Sequence, residues 1–93
     1  MLRVFRQARQ NEQDGSFPEA QKLYEQVVQT EPEFIYGWSS LGDVLTARGD
    51  LDLALKCYRK AVTLKPPGND LSNILLNMAS IELATDKVSD SMK

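Results

Sequence analysis

Residues 35–68 read IYGWSSLGDVLTARGDLDLALKCYRKAVTLKPPG. Trp38, Leu41, Gly42 and Leu45 follow helical spacing and line one stripe, and Leu51, Ala54, Leu55, Tyr58, Ala61 and Val62 line a second. The break between them is chemical. In Arg48-Gly49-Asp50 the glycine is able to take a positive φ where one helix stops, and the aspartate is able to cap the next. The stretch therefore reads as two amphipathic helices joined by a tight turn, and Pro66-Pro67 closes the pair because the residue before a proline is pushed out of helical geometry.

Working outward, the same features recur one period of 34 residues earlier. Gly15 aligns with Gly49, Ala20 with Ala54, Lys22 with Lys56, Tyr24 with Tyr58, Val28 with Val62 and Pro32 with Pro66. Asp14-Gly15-Ser16 repeats the turn. Ser16 and Glu19 have the spacing of a capping box, and Pro18 falls in a first turn, where no intrahelical donor is lost. The pattern predicts helices over residues 2–13, 17–30, 35–48, 51–64 and 70–84, with a polar, frayed tail over 85–93. Strand signals are absent. The fold class expected is all-α, about five helices in antiparallel pairs.

Trp38-x-x-Leu41-Gly42, Leu45, Gly49, Ala54, Tyr58, Ala61 and Pro66 resemble the signature of the tetratricopeptide repeat, with leucine where its first tyrosine is usual. Residues 35–68 then form a full second repeat. Residues 1–34 form a degenerate first repeat, whose opening helix has Val4, Gln7, Ala8 and Asn11 at the signature positions. Residues 69–84 resemble the first helix of a third, provided that the loop before it carries about three extra residues, which costs little. Small residues Ala8, Ala20, Gly42 and Ala54 let helices approach while Trp38 and Tyr58 fill the space between them, so Trp38 is read as core packing.

The resemblance implies a helical-repeat array, a right-handed α-α superhelix whose concave face holds a partner peptide or helix. That face would take Leu2, Phe5, Arg6, Arg9, Glu12 and Gln13 from the first unit. From the second it would take Tyr36, Ser39, Ser40, Asp43, Thr46 and Ala47, and from the last helix Asn73, Leu76, Asn77 and Ser80. Chaperone-adaptor members of the family grip acidic tails with a clamp of lysines, asparagines and arginine. The matching positions here, Phe5, Arg9, Ser40, Asn73 and Asn77, do not fit it. Arg3, Arg6 and Arg9 recur every three residues; Arg6 and Arg9 are able to hold a carboxylate or phosphate, or simply form a solvated face.

Composition narrows the alternatives. The 11 Lys and Arg against 13 Asp and Glu, a formal charge of −2, lack the basic excess of a phosphate-backbone binder, so nucleic acid is a distant third reading. With no histidine and one cysteine, a Cys/His metal cluster and a His-based catalytic arrangement are both ruled out within this chain. No cofactor, metal site or catalytic residue is expected, and Cys57 reads as a small apolar filler. The pairs Glu31 and Glu33, and Asp50 and Asp52, sit at helix ends, where the macrodipole accounts for them. No apolar run is long enough for a bilayer, and the expected setting is soluble and intracellular.

The last helix is apolar around more than one stripe. Ile74, Leu76, Ile81 and Leu83 are therefore expected to form a self-association surface, making the chain a homodimer or a structural segment of a longer array.

Overall fold

A computed structural model describes the backbone of residues 2–91 and the side chains of residues 3–83. Five helices follow one another: α1 (Leu2–Gln13), α2 (Phe17–Thr30), α3 (Ile35–Arg48), α4 (Leu51–Thr63) and α5 (Gly68–Ser91). Each packs chiefly against its predecessor and successor, giving an elongated body of 46 × 29 × 20 Å. This is the nearest-neighbour architecture of a helical-repeat array.

The turns form as the glycines require. Gly15 and Gly49 have φ of 85° and 88°. At the second turn, the Asp50 N–H donates to the Leu45 carbonyl and the Gly49 N–H to the Thr46 carbonyl; at the first, Ser16 donates to Asn11 and Gly15 to Glu12. These are the paired bonds of the Schellman motif, which satisfy the last carbonyls of α1 and α3. The expected side-chain caps do not form: neither Ser16 nor Asp50 bonds through its side chain to the following helix. The reason is the compactness of the turn. Each of these residues closes the preceding helix and opens the next, and its ψ of 65° or 70° lies well short of the extended geometry a capping side chain favours.

The core runs along the array. Ala8, Ala20, Tyr24 and Val28 belong to the first unit, and Leu41, Val44, Ala54 and Tyr58 to the second. Trp38 is half-buried against this core, and its indole N–H donates to the Pro32 carbonyl at 2.8 Å, pinning α3 to the loop before it. Among the glycines, Gly42 marks the tightest approach. A Cβ there would lie 2.8 Å from the Tyr58 ring.

α5 departs from expectation at both ends. It starts at Gly68 and continues through Ser91, past the point where a frayed tail was expected. No proline or glycine follows Gly68, so nothing in the sequence stops the helix. Residues 92 and 93 lie outside the described residues. The loop insertion is also relocated. Residues 64–67 form a connection as short as residues 31–34, and the extra length enters as an added first turn of α5. Ile74 and Ile81 face the core, with Leu71 and Met78 half-buried beside them. Relative to Gly37, Leu41 and Val44 of α3, the inward residues Ile74, Met78 and Ile81 are displaced by 37 positions, the period plus three.

Overpacking in Gly42→Ala should cost about 1–3 kcal/mol against the roughly 1 kcal/mol that alanine gains in helix propensity, for a net destabilisation of up to about 2 kcal/mol. Urea unfolding checks this; an unchanged or higher midpoint would mean that the Tyr58 ring yields.

Candidate functional site

α1, α3 and α5 share one side of the array, and their facing side chains line a continuous series of hollows. Phe5, Arg9, Glu12, Tyr36, Ser40 and Asp43 line the first, of about 400 Å³. Ile35, Tyr36, Ser39, Asp43, Asp70, Asn73, Ile74 and Asn77 line a second, of about 160 Å³. A third, of about 250 Å³, has Asp43, Thr46, Leu51, Tyr58, Asn77, Ser80 and Ile81. Asp43 belongs to all three.

The wall beside Phe5 is aromatic. Its ring lies 5.8 Å from Tyr24 and 5.1 Å from Phe34, which in turn lies 5.8 Å from Tyr36, mostly in tilted or edge-on geometry. Phe5 and Phe34 are half-buried, whereas Tyr36 is 47% exposed.

Polar contacts tie this face to the core. The Tyr24 hydroxyl donates to Glu12 Oε1 at 2.7 Å, and the Tyr36 hydroxyl to Asp70 Oδ2 at 2.8 Å. Tyr58 donates to Asp43 Oδ1, which also receives Asn77 Nδ2 at 3.4 Å. Burial first, then the bond to a carboxylate, pushes the Tyr24 and Tyr58 hydroxyls far above the ordinary tyrosine range. Tyr36 is raised chiefly by its bond to Asp70. Asp43 keeps exposed surface on the groove side, yet the protein crowding its carboxylate raises its pKa; the Glu12 charge adds to this and the Tyr58 bond opposes it.

Of the residues expected at the concave face, Phe5, Arg9, Tyr36, Ser39, Ser40, Asp43, Asn73 and Asn77 line these hollows, as do Glu12, Thr46 and Ser80. Gln13 and Ala47 line a neighbouring hollow with Arg9, Glu12 and Phe17. Arg6 on α1 and Leu76 on α5 are exposed but line none of the hollows described. The Leu2 side chain lies outside the described residues. Asp70 was not anticipated. Its signal is its place one period after Tyr36, a pairing that matters only once α3 and α5 lie side by side.

The self-association expectation is corrected in part. Ile74 and Ile81 are 3% and 4% exposed and belong to the core, because α5 turns that stripe towards the preceding unit; Leu76 and Leu83 remain exposed, as does Leu75. Cys57 is buried, which with the Glu25 charge raises its thiol pKa to about 11. Among the described residues no group of His, Cys, Asp or Glu is arranged to hold a metal ion, and no helix is long and apolar enough to cross a membrane.

The sequence profile of the tetratricopeptide repeat family matches residues 35–66. Over 69 residues, 74% of this chain, the sequence is 36% identical to tetratricopeptide repeat protein 5 of Mus musculus and 35% identical to that of Homo sapiens. The aligned stretch spans 15% of the length of each of those proteins.

The raised pKa of Asp43 has a pH signature. Because the folded state favours the protonated carboxyl, its contribution to stability is full below the ordinary value of 3.8 and is lost as pH rises through the raised value. Asp43→Asn keeps an acceptor for Tyr58 and cannot ionise. Thermal melts from acid to neutral pH should therefore show the variant gaining on the wild type as pH rises; a constant difference would remove Asp43 as the source.

Proposed function

Because this chain belongs to the tetratricopeptide repeat family, a family of protein-interaction and scaffold modules, we propose that it binds a partner's peptide or helix along the α1–α3–α5 groove. The observation that carries this reading is the position of Asp43, at the meeting of three hollows that together cross three helices. A segment lying there touches every unit at once, whereas a small molecule would fill one hollow alone.

The groove also carries a chemical preference. Glu12, Asp43 and Asp70 each accept a tyrosine hydroxyl through one oxygen, which leaves lone pairs for a partner's donors. Lysine, arginine, amide side chains and backbone N–H groups suit them. Arg9 offers one countervailing charge at the α1 end. An acidic tail is disfavoured, since three carboxylates would face it, and the net charge of −2 works against a nucleic-acid backbone.

Peptides selected on the folded protein from a random display library test the groove. A selected peptide should lose at least about tenfold in affinity, roughly 1.4 kcal/mol, when Ser40→Arg and Asn73→Arg narrow the groove. It should be unaffected by Leu53→Lys on the exposed side of α4. Binding that survives both groove substitutions, in variants with unchanged circular dichroism, overturns the assignment.

A further inference from the structure

The second helices of the two units are packed alike and charged oppositely. Residues 17–34, which hold α2 and the loop after it, carry Glu19, Glu25, Glu31 and Glu33 against Lys22 alone, a net −3. The matching stretch one period later, residues 51–68, carries Lys56, Arg59, Lys60 and Lys65 against Asp52 alone, a net +3. Ala20 and Tyr24 are meanwhile matched by Ala54 and Tyr58, all four buried, so the core does not dictate the sign of this surface.

α4 buries Ala54, Cys57, Tyr58 and Ala61 and leaves Lys56, Arg59 and Lys60 exposed on its other side; Lys65, just past the helix, is exposed as well. Among the described residues no hydrogen bond or ion pair joins any of these four side chains to a carboxylate. The helix macrodipole favours a cation in the last turn and so accounts for Lys60, but Lys56 stands near the middle of α4. Lys65 takes a left-handed φ of 57°, the region that Gly15 and Gly49 occupy after α1 and α3. A lysine is thus held where the backbone favours glycine. Leu53, 49% exposed and one turn before Lys56, adds an apolar contact at the edge of the patch.

The layout of the patch indicates its ligand. Lys56 and Lys60 are separated by about 6 Å of helix rise, close to the roughly 7 Å between alternate residues of an extended chain. Cations strung out in this way match carboxylates carried along a segment, whereas a single phosphate group calls for donors that converge. A nucleic-acid backbone or an anionic bilayer would overrun the patch onto the acidic side of α2, whose Glu25 is close enough to α4 to act on the Cys57 thiol. A short peptide stays within it.

We propose that the exposed face of α4 docks a short acidic segment of a partner protein, with glutamate or aspartate carboxylates on Lys56, Arg59 and Lys60 and an apolar residue on Leu53. None of these four residues lines the α1–α3–α5 hollows, so the site is independent of what the groove binds. Exposed ion pairs are individually weak, and the affinity is therefore modest and falls with salt.

Fluorescence anisotropy of a labelled oligoglutamate peptide with one central leucine, titrated with the intact chain at low ionic strength, should show saturable binding that weakens as salt is added. Arg59→Glu with Lys60→Gln installs the first unit's residues, those of Glu25 and Gln26, at the matching positions. It should weaken binding at least about tenfold with circular dichroism unchanged. Arg6→Glu with Arg3→Gln makes the same change of charge at exposed positions of α1 and should leave binding intact. Leu53→Ser should cause a loss with the leucine-bearing peptide and none with plain oligoglutamate. Absence of saturable binding, equal losses from the α1 and α4 double variants, a Leu53→Ser variant that treats both peptides alike, or tighter binding of oligothymidylate or phosphatidylserine vesicles than of the peptide would each overturn the proposal.

Discussion

The fit of Tyr58 over Gly42 is the constraint on which the rest of the structure depends. The ring occupies space that any Cβ at position 42 would take, and so fixes how closely α3 and α4 approach. Its hydroxyl then emerges on the groove side and bonds to Asp43, the residue next to that glycine. One side chain thus sets the helix spacing and orients the central carboxylate of the groove. The burial that makes Tyr58 a core residue also keeps its hydroxyl neutral, so it stays a donor at any ordinary pH.

The first unit repeats the arrangement with different polar partners. Tyr24 lies 34 positions before Tyr58 and is as fully buried, but its hydroxyl reaches Glu12. Arg9 stands at the position corresponding to Asp43, and Thr46 at that corresponding to Glu12. The acceptor has moved almost one helical turn along the groove wall while the tyrosine has kept its place. Packing is therefore the repeated element, and the chemistry lining the groove varies over it. This is the division expected when a rigid scaffold presents variable contact residues.

Most of the helix boundaries were legible because glycine and proline punctuate them: Gly15, Gly49, Pro32 and Pro66 act locally, through their own backbone restrictions. What the sequence misplaced depended on neighbours. Ser16 and Asp50 have the composition of caps, but each also ends the turn before it, and that double duty appears only in three dimensions. The apolar residues of α5 form two stripes of similar composition; which one faces inward is settled by docking against α4, so Ile74 and Ile81 could not be separated from Leu76 and Leu83 by pattern alone. Asp70 reads as an ordinary acidic residue in a first helical turn until Tyr36 lies against it. The concave-face positions were read from the family resemblance, which specifies the side of each helix and leaves the bonding among groove residues open.

An array in which each helix touches chiefly its neighbours has no central core to hold its ends. α5 packs on α4, and its polar links to α3 among the described residues include two groove contacts, Tyr36 with Asp70 and Asn77 with Asp43. A ligand that lies on those residues and bridges α3 to α5 binds only when α5 is docked, and by linkage it stabilises the docked state. The same docking buries Ile74 and Ile81 and turns Leu75, Leu76 and Leu83 outward. The groove and the exposed leucine stripe are thus two faces of one helix whose placement they share, and whatever fills the groove also strengthens the presentation of the stripe.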